Sequence, residues 1–332
     1  VAQTLVDEPT DLGELPVQNL ATKEMLTINS YVDKYCTTSL LILKDNNVLY
    51  ERYFQGKGRG DKFMSASMSK TIVALLIGIA ADEGKIKVTD KVTDIFPDFV
   101  GSAFDEDTVE DLLRMSSKAR LVNSYDKDTL TDNQAVSPLA APNGDQREYL
   151  RTRTVKNPVR TFDYNGAQTV LLALLLRERV GMTLAEYMER KLWGPIGAED
   201  KGYWITNSKG QEGAGGHFVG TPRDYAKLGL LIMNKGKVGD TQVVSSSWIK
   251  AMTTVRKDGL QPAKPPFYGY QVWVPLLAGG RAILWGTNGQ NVFVDPVAHV
   301  VIVHTASSPN ADFEGNPAVF GLRDAVLKYV TN

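Results

Sequence analysis

The chain has 332 residues, 43% of them hydrophobic, enough for a substantial core in one large domain or two interlocked ones. Its 37 basic and 38 acidic residues nearly cancel, with no run of like charge to mark a nucleic-acid footprint or an acidic tail, so a small, uncharged or weakly charged partner is expected. A single cysteine, Cys36, excludes an internal disulfide and a multi-cysteine metal site, and three scattered histidines without an HExxH pattern argue against zinc; no metal or cofactor is expected.

Residues 1–20, with two prolines and no clear period, suggest an arm laid over the surface. TKEMLTINSYVDKYC has helical spacing, with Thr22 as N-cap. SLLILKDNNVLYERYF is two strand-like runs around Asp45-Asn46-Asn47, a hairpin. Then comes FMSASMSKTIVALLIGIAADEGK, a serine-rich stretch opening an apolar helix that ends at Gly84. Neither this run nor TVLLALLL reaches the roughly 20 residues of a membrane span, so both are expected as buried core helices and no membrane span is expected. DEDTVEDLLRMSS has an acidic start and an apolar stripe. Residues 119–159 lack period and suggest a long loop with short helices, a binding wall or a lid. RTFDYNGAQTVLLALLL opens another apolar helix.

After Trp204 the signals turn to strands: YGYQVWVPL, RAILWG, NVFVDP and HVVIVHTA, with a last helix from about Pro317 to Val330. His299 and His304 flank the last of these runs and are expected to be structural. The expected fold class is α/β: an antiparallel sheet flanked by helices and built from both chain ends, with a mostly helical domain inserted. The expected boundaries are 1–66 for the first part of the α/β domain, 67–186 for the helical domain and 187–332 for the second part. A single cysteine and a start at Val1 rather than Met fit a periplasmic or a cytoplasmic protein, with a periplasmic or secreted location the expectation.

Ser67-Met68-Ser69-Lys70 is the candidate reactive centre. A serine three before a lysine arises by chance about once or twice in a chain this long, and Ser247-Trp248-Ile249-Lys250 fits equally. Context separates them. The Ser67 helix is long and apolar, whereas the Ser247 helix is short and its serines read as caps. In the first helical turn, Ser67 would put its N–H and the positive helix end where an oxyanion develops. Lys70, one turn on, would share its face, and partial burial would favour the neutral amine that takes the serine proton. Tyr164 is the candidate second proton carrier, and the strand ending at Gly286 the candidate second wall of the oxyanion hole. Taken alone, Tyr164 reads as a core or cap tyrosine and the glycines as turn formers.

In order and type together, SASMSKTIVALLIGIAADEGKI, VEDLLRMSS, FDYNGAQTVLLALLLRERVGMTLAEYMERKLWGPIGAED, GAGGHFVGTPRDYAKLGLLIMNKGK and WGTNGQNVFVDP resemble the penicillin-recognising serine hydrolases. That family holds class C β-lactamases, family VIII carboxylesterases and 6-aminohexanoate-dimer (nylon-oligomer) hydrolases, and the layout most resembles the last subgroup. The resemblance implies a β-lactamase/transpeptidase-like fold, Ser67 as nucleophile, Lys70 as its base and Tyr164 as proton shuttle. It implies an oxyanion hole from the N–H groups of Ser67 and Thr287, with Gln290 the other candidate. Trp285, Gly286, Asn288 and His217 are the expected substrate-binding residues, His217 having packing as its alternative. Tyr203, Trp204, Tyr268 and Tyr270 are further candidates for an apolar pocket or for the core.

Three departures bear on substrate. Tyr164-Asn165-Gly166 stands where β-lactamases have Tyr-x-Asn, Leu284-Trp285-Gly286 replaces Lys-Thr-Gly, and His217-Phe218-Val219 follow the paired glycines where related hydrolases often have small or polar groups. The first two argue for cleavage of esters or short linear amides by a serine hydrolase. The alternatives are a β-lactamase or D,D-peptidase-like enzyme, or a non-catalytic penicillin-binding-like protein. A Ser-His-Asp hydrolase lacks support, since no GxSxG elbow occurs. Ser67→Ala is expected to abolish p-nitrophenyl ester hydrolysis while Ser247→Ala leaves it intact; equal losses in initial-rate assays would put the two serines on the same footing.

Overall fold

The computed structural model describes residues 5–7, 9–122, 130–275, 279–309 and 315–332. An eight-stranded sheet runs in the order Val6–Asp7, Asn47–Tyr53, Thr37–Lys44, Val300–Ala306, Asn291–Asp295, Ala282–Trp285, Trp273–Val274, Phe267–Tyr268. All neighbours are antiparallel except the first pair, which is parallel. Early and late segments therefore meet at the centre, where Ile302 pairs with both Ile42 and Phe293. The expected hairpin forms, with Asp45 (φ 50°) and Asn46 (φ 69°) in the left-handed region that Asn and Asp tolerate best after glycine.

Alternation along the central strands divides the core in two. Leu40, Ile42, Ile283, Phe293 and Ile302 pack against the N-terminal helix Ile28–Lys34 and the C-terminal helix Asn316–Thr331. Leu41, Leu43, Leu284, Val292, Val301 and Val303 face the larger core, which holds the helices Ser69–Asp82, Gly166–Val180 and Pro222–Met233. Among the described residues no helix is long and apolar enough to cross a membrane.

Two expectations near the N-terminus are corrected. The helix starts at Ile28 rather than after Thr22, because Met25–Thr27 pairs as a strand with Pro16–Gln18. Thr27 then caps the helix through a reciprocal bond with Ser30. The arm is also more than a surface strap. Leu5, Leu12 and Val17 are buried, and Asp7 pairs at 2.6 Å with Arg223, whose guanidinium is 2% exposed and also binds Glu51. Residues 1–4 and 8 of the arm, 123–129 of the aperiodic stretch, and Leu276 at the end of YGYQVWVPL lie outside the described residues.

Every residue from Ser69 to Ala80 is buried, and Gly84 (φ +72°) closes the helix as expected. Gln271 ties this helix to its neighbour, accepting from Thr71 Oγ1 at 2.7 Å through its carbonyl and from Thr169 Oγ1 at 2.6 Å through its side chain. Trp248 packs on the third side, donating to the Ala74 carbonyl at 3.1 Å. Its indole lies 2.3 Å from where a Cβ on Gly78 would stand. Gly78→Ala gains about 1 kcal/mol of helix propensity, but the buried overlap costs about 1–3 kcal/mol. Urea denaturation is expected to show net destabilisation; a gain in stability would mean the indole yields freely.

Candidate active site

A small three-stranded sheet delivers the serine. Phe63–Met64 pairs with Phe218–Gly220, which pairs with Tyr203–Trp204. The Ser65 N–H donates to the Phe218 carbonyl at 2.7 Å, and the Tyr225 hydroxyl to the Phe63 carbonyl at 2.6 Å. Ala66 then adopts φ 46°, a left-handed backbone for a non-glycine residue and a place where strain is stored beside a functional group. Ser67 falls in a 3-10 turn, Ala66–Met68, just ahead of the α-helix rather than in its first turn. The end of the strand Ala282–Trp285 presses on this turn. A Cβ on Gly286 would lie 2.7 Å from the Ser65 carbonyl oxygen and 2.9 Å from Ala66 Cβ.

Lys70 reaches back along the helix face. Its Nζ lies 2.9 Å from Ser67 Oγ and also donates to the Gly215 carbonyl. The residue is 4% exposed, and burial pulls its ammonium down to a pKa of about 7. The segment Gly213–Gly216 can come this close because its glycines lack side chains. A Cβ on Gly215 would stand 3.3 Å from the Gly166 carbonyl oxygen, tighter than ordinary contact.

Tyr164 completes the group. It lines the same cavity wall as Ser67 and Trp273, and its ring lies 5.2 Å from Lys70 Nζ. Burial raises the phenol to a pKa of about 12, against the opposing pull of the polar groups of Ser67 and Trp273. The RMSS turn holds the segment that carries Tyr164: the Met115 carbonyl accepts from the Asp163 N–H at 2.8 Å, and the Ser117 N–H donates to Gln168 Oε1 at 3.1 Å. Asn165 caps the following helix through the Ala167 N–H.

The turn after Gly286 separates the two oxyanion candidates. The Gln290 N–H is turned back onto the Thr287 carbonyl, and the Gln290 amide donates to the carbonyls of Asn288 and Ala306. Among the described hydrogen bonds, the N–H groups of Ser67 and Thr287 donate to no protein group. Beneath the turn, His304 Nδ1 lies 2.7 Å from the Gly289 carbonyl. Only an N–H can satisfy that oxygen, so Nδ1 carries the proton and Nε2 accepts from Tyr31 and Thr37. Burial lowers His304 to a pKa of about 4 and keeps it neutral. His299 stands exposed in a turn, facing Asp45.

Ser67, Tyr164 and Thr287 line two adjoining cavities. The larger, about 600 Å³, is also lined by Lys70, Asn133, Ser137, His217, Asn288 and Gln290. The smaller, about 220 Å³, is walled by Trp273, Trp285, Gly286 and Asn316. Among these described lining residues Lys70 is joined by no carboxylate, guanidinium or second ammonium. His217 lines the cavity, with Nε2 3.2 Å from Ser137 Oγ, and burial lowers its pKa. Asn288 (φ 61°) donates to the Ser308 carbonyl at 2.9 Å and so also braces the turn.

Of the aromatic candidates, Trp285 reaches a cavity and Tyr268 backs the Tyr164 ring edge-on at 5.7 Å. Tyr270 instead packs on Trp248 with its hydroxyl on Glu110, Trp204 packs on Phe218, and Tyr203 is exposed. Trp273 went unselected, although it lies in the same strand run. Asn133, Gln134 and Ser137 were also missed, since nothing periodic marks them; the 119–159 stretch supplies a wall through these residues. At Ser247-Trp248-Ile249-Lys250, Ser245 caps the helix Ser246–Met252, and the Ser247 hydroxyl donates to Ser245 Oγ at 3.1 Å.

The beta-lactamase family profile matches residues 29–323. A curated relative, the 6-aminohexanoate-dimer hydrolase of Paenarthrobacter ureafaciens, is 26% identical over 294 residues, covering 85% of this chain and 75% of that protein. Among solved structures, a Bacillus anthracis protein provisionally assigned as a 6-aminohexanoate-dimer hydrolase superposes with a TM-score of 0.85 at 23% identity, covering 99% of this chain and 87% of that one. A family VIII carboxylesterase superposes with a TM-score of 0.68 at 17% identity, covering 89% and 93%. At these identities the superpositions speak to the fold.

An amine with a pKa of about 7 is protonated below that pH and a base above it. Modification of Ser67 by a neutral fluorophosphonate is therefore expected to accelerate as pH rises, with a midpoint near 7, and to level off well before the phenol ionises. A flat profile from pH 5 to 9, read by mass spectrometry, would remove Lys70 from the reaction.

Proposed function

The chain belongs to the beta-lactamase family, and from that premise we propose that it is a serine hydrolase that cleaves esters or short linear amides through an acyl-enzyme on Ser67. The observation that carries this reading is the Lys70 amine, buried, 2.9 Å from Ser67 Oγ and with its pKa lowered to about 7. The name of the Paenarthrobacter ureafaciens relative, a 6-aminohexanoate-dimer hydrolase, supports the hydrolase reading.

In the proposed reaction Lys70 takes the Ser67 proton as Oγ bonds to the substrate carbonyl carbon. Negative charge moves to the carbonyl oxygen, between the N–H groups of Ser67 and Thr287. As the tetrahedral centre collapses, its bond to the leaving oxygen or nitrogen breaks. Tyr164, protonated up to a pKa of about 12, gives that atom its proton and is resupplied from the Lys70 ammonium. Water, deprotonated by the same carriers, then attacks the acyl carbon and returns Ser67. The lining supports a neutral substrate, since among the described lining residues no carboxylate or guanidinium joins Lys70, and Leu284 stands where β-lactamases have the lysine of Lys-Thr-Gly.

Fluorophosphonate labelling mapped to Ser67 tests the reading, and an unlabelled protein would point to a non-catalytic binder. Tyr164→Phe is expected to lower kcat/KM, which reports acylation, by about 10²–10⁴ on ethyl butyrate, whose alkoxide needs a proton. The loss on p-nitrophenyl butyrate is expected to be far smaller, because nitrophenolate leaves unaided. Equal losses on the two esters would exclude Tyr164 as the leaving-group acid. Turnover of nitrocefin faster than either ester would move the assignment to β-lactam hydrolysis.

A further inference from the structure

The turn that carries the Thr287 N–H is tied to the end of the strand Val300–Ala306 and the residues just beyond it at three points. His304 Nδ1 donates to the Gly289 carbonyl at 2.7 Å, the Gln290 amide to the Ala306 carbonyl at 2.7 Å, and the Asn288 amide to the Ser308 carbonyl at 2.9 Å. Two of these donors belong to the turn itself, whereas His304 reaches into it from the sheet. Resting on the reading of Ser67 and Thr287 as the oxyanion donors, we propose that His304 is a positioning residue for the reaction. By holding the Gly289 carbonyl, its Nδ1–H fixes the direction in which the Thr287 N–H meets the developing oxyanion.

The coupling runs through the peptide planes of the turn. The Gly289 carbonyl shares its peptide with the Gln290 N–H, which faces the Thr287 carbonyl at 3.4 Å. The Gly286 N–H closes the same turn onto the Gln290 carbonyl at 2.8 Å. Rotation of the Gly289-Gln290 peptide therefore loosens both closures, and with them the Gly286-Thr287 peptide that bears the donor. Local preference does not oppose that rotation, since Gly289 (φ 92°) has no Cβ to restrict it. Burial does. Gly289 is buried, and among the described hydrogen bonds His304 is the sole donor to its carbonyl, so a turned peptide would leave that oxygen dry and unpaired.

The imidazole is itself held. It is fully buried on the face of the sheet packed by the terminal helices. The Tyr31 hydroxyl, from the helix Ile28–Lys34, and the Thr37 hydroxyl, at the start of the strand Thr37–Lys44, each lie 3.0 Å from Nε2. The Tyr31 ring meets the imidazole edge-on at 5.7 Å. The oxyanion turn is thus braced from the side of the sheet opposite the helix that carries Lys70. Donors fixed beforehand need no reorganisation as charge develops, and a misplacement of about 1 Å can cost about 10² in rate.

Two amide substitutions separate the two sides of the ring. Asn carries its NH₂ as many bonds from Cβ as Nδ1 and can still donate to the Gly289 carbonyl. Gln extends to the place of Nε2, toward Tyr31 and Thr37, and leaves that carbonyl without a donor. The readout is kcat/KM for ethyl butyrate divided by that for its thionoester, O-ethyl butanethioate, each corrected for reactivity with hydroxide. Sulfur accepts hydrogen bonds poorly, so the ratio reports the oxyanion donors, and it does not depend on the fraction of protein folded.

The unmodified protein is expected to favour the oxygen ester. His304→Gln is expected to shrink the ratio roughly tenfold, a part of the about 10²–10³ lost when a donor is removed outright. His304→Asn is expected to retain most of it. Ile302→Val, two residues earlier on the same face of the strand, is expected to lower the urea midpoint without moving the ratio. A ratio unchanged in His304→Gln, lost as fully in His304→Asn, or moved as far by Ile302→Val overturns the proposal. An unmodified protein without preference for the oxygen ester overturns the Ser67 and Thr287 oxyanion pair and the role of His304 with it. Failure to label at Ser67 is the separate result that would overturn the hydrolase reading.

Discussion

Keeping an amine dry is the constraint on which the site depends. An ammonium ion moved out of water loses hydration that one carbonyl and one hydroxyl do not replace, so Lys70 at 4% exposure favours its neutral form. Keeping water away requires backbone to close in from several sides. The buried helix carries the amine, Gly213–Gly216 crosses above it with the Gly215 carbonyl, and the start of the helix Gly166–Val180 fills the remaining side. Side chains on Gly215 or Gly166 would push these segments apart, which explains glycines that local turn rules do not.

The same burial acts on the phenol with the opposite sign in pKa and the same sense in charge. Desolvation lowers an amine and raises a phenol because both become neutral. The buried environment that brings Lys70 to about 7 also holds Tyr164 at about 12. One site thus holds an amine drawn toward its neutral form and a phenol kept protonated, both beside Ser67, and among the described lining residues no carboxylate sets the difference. The surrounding surface is consistent with that economy. Apart from Lys70, the described lining residues of both cavities carry no carboxylate, guanidinium or further ammonium, so a cationic substrate group near the reacting bond would find no counter-charge among them.

Much of the scaffold was legible because its signals are local. The apolar runs in LLILK and HVVIVHTA, the Asp45-Asn46 turn and the closing Gly84 each act over a few residues, and each appears where expected. The start of the first helix was misread for the same reason: Thr22 and Thr27 are equal as isolated caps, and only pairing of Met25–Thr27 with Pro16–Gln18 selects Thr27. The choice between Ser67 and Ser247 came from the helix that follows each. The structure adds that Trp248, inside the Ser247–Lys250 motif, packs against the very helix that carries Lys70.

By itself the sequence determined the elements, the family and the serine, lysine and tyrosine expected to react, since these lie in short patterns whose spacing has a direct meaning on a helix or at its start. Tertiary structure alone decided what surrounds them. Asn133, Gly215, Trp273 and the free Thr287 N–H converge on Ser67 from segments far apart in the chain, through close approaches that no periodicity records. Their roles follow from desolvation and from which hydrogen-bonding groups remain unspent, and both are properties of the packed chain rather than of any stretch of it.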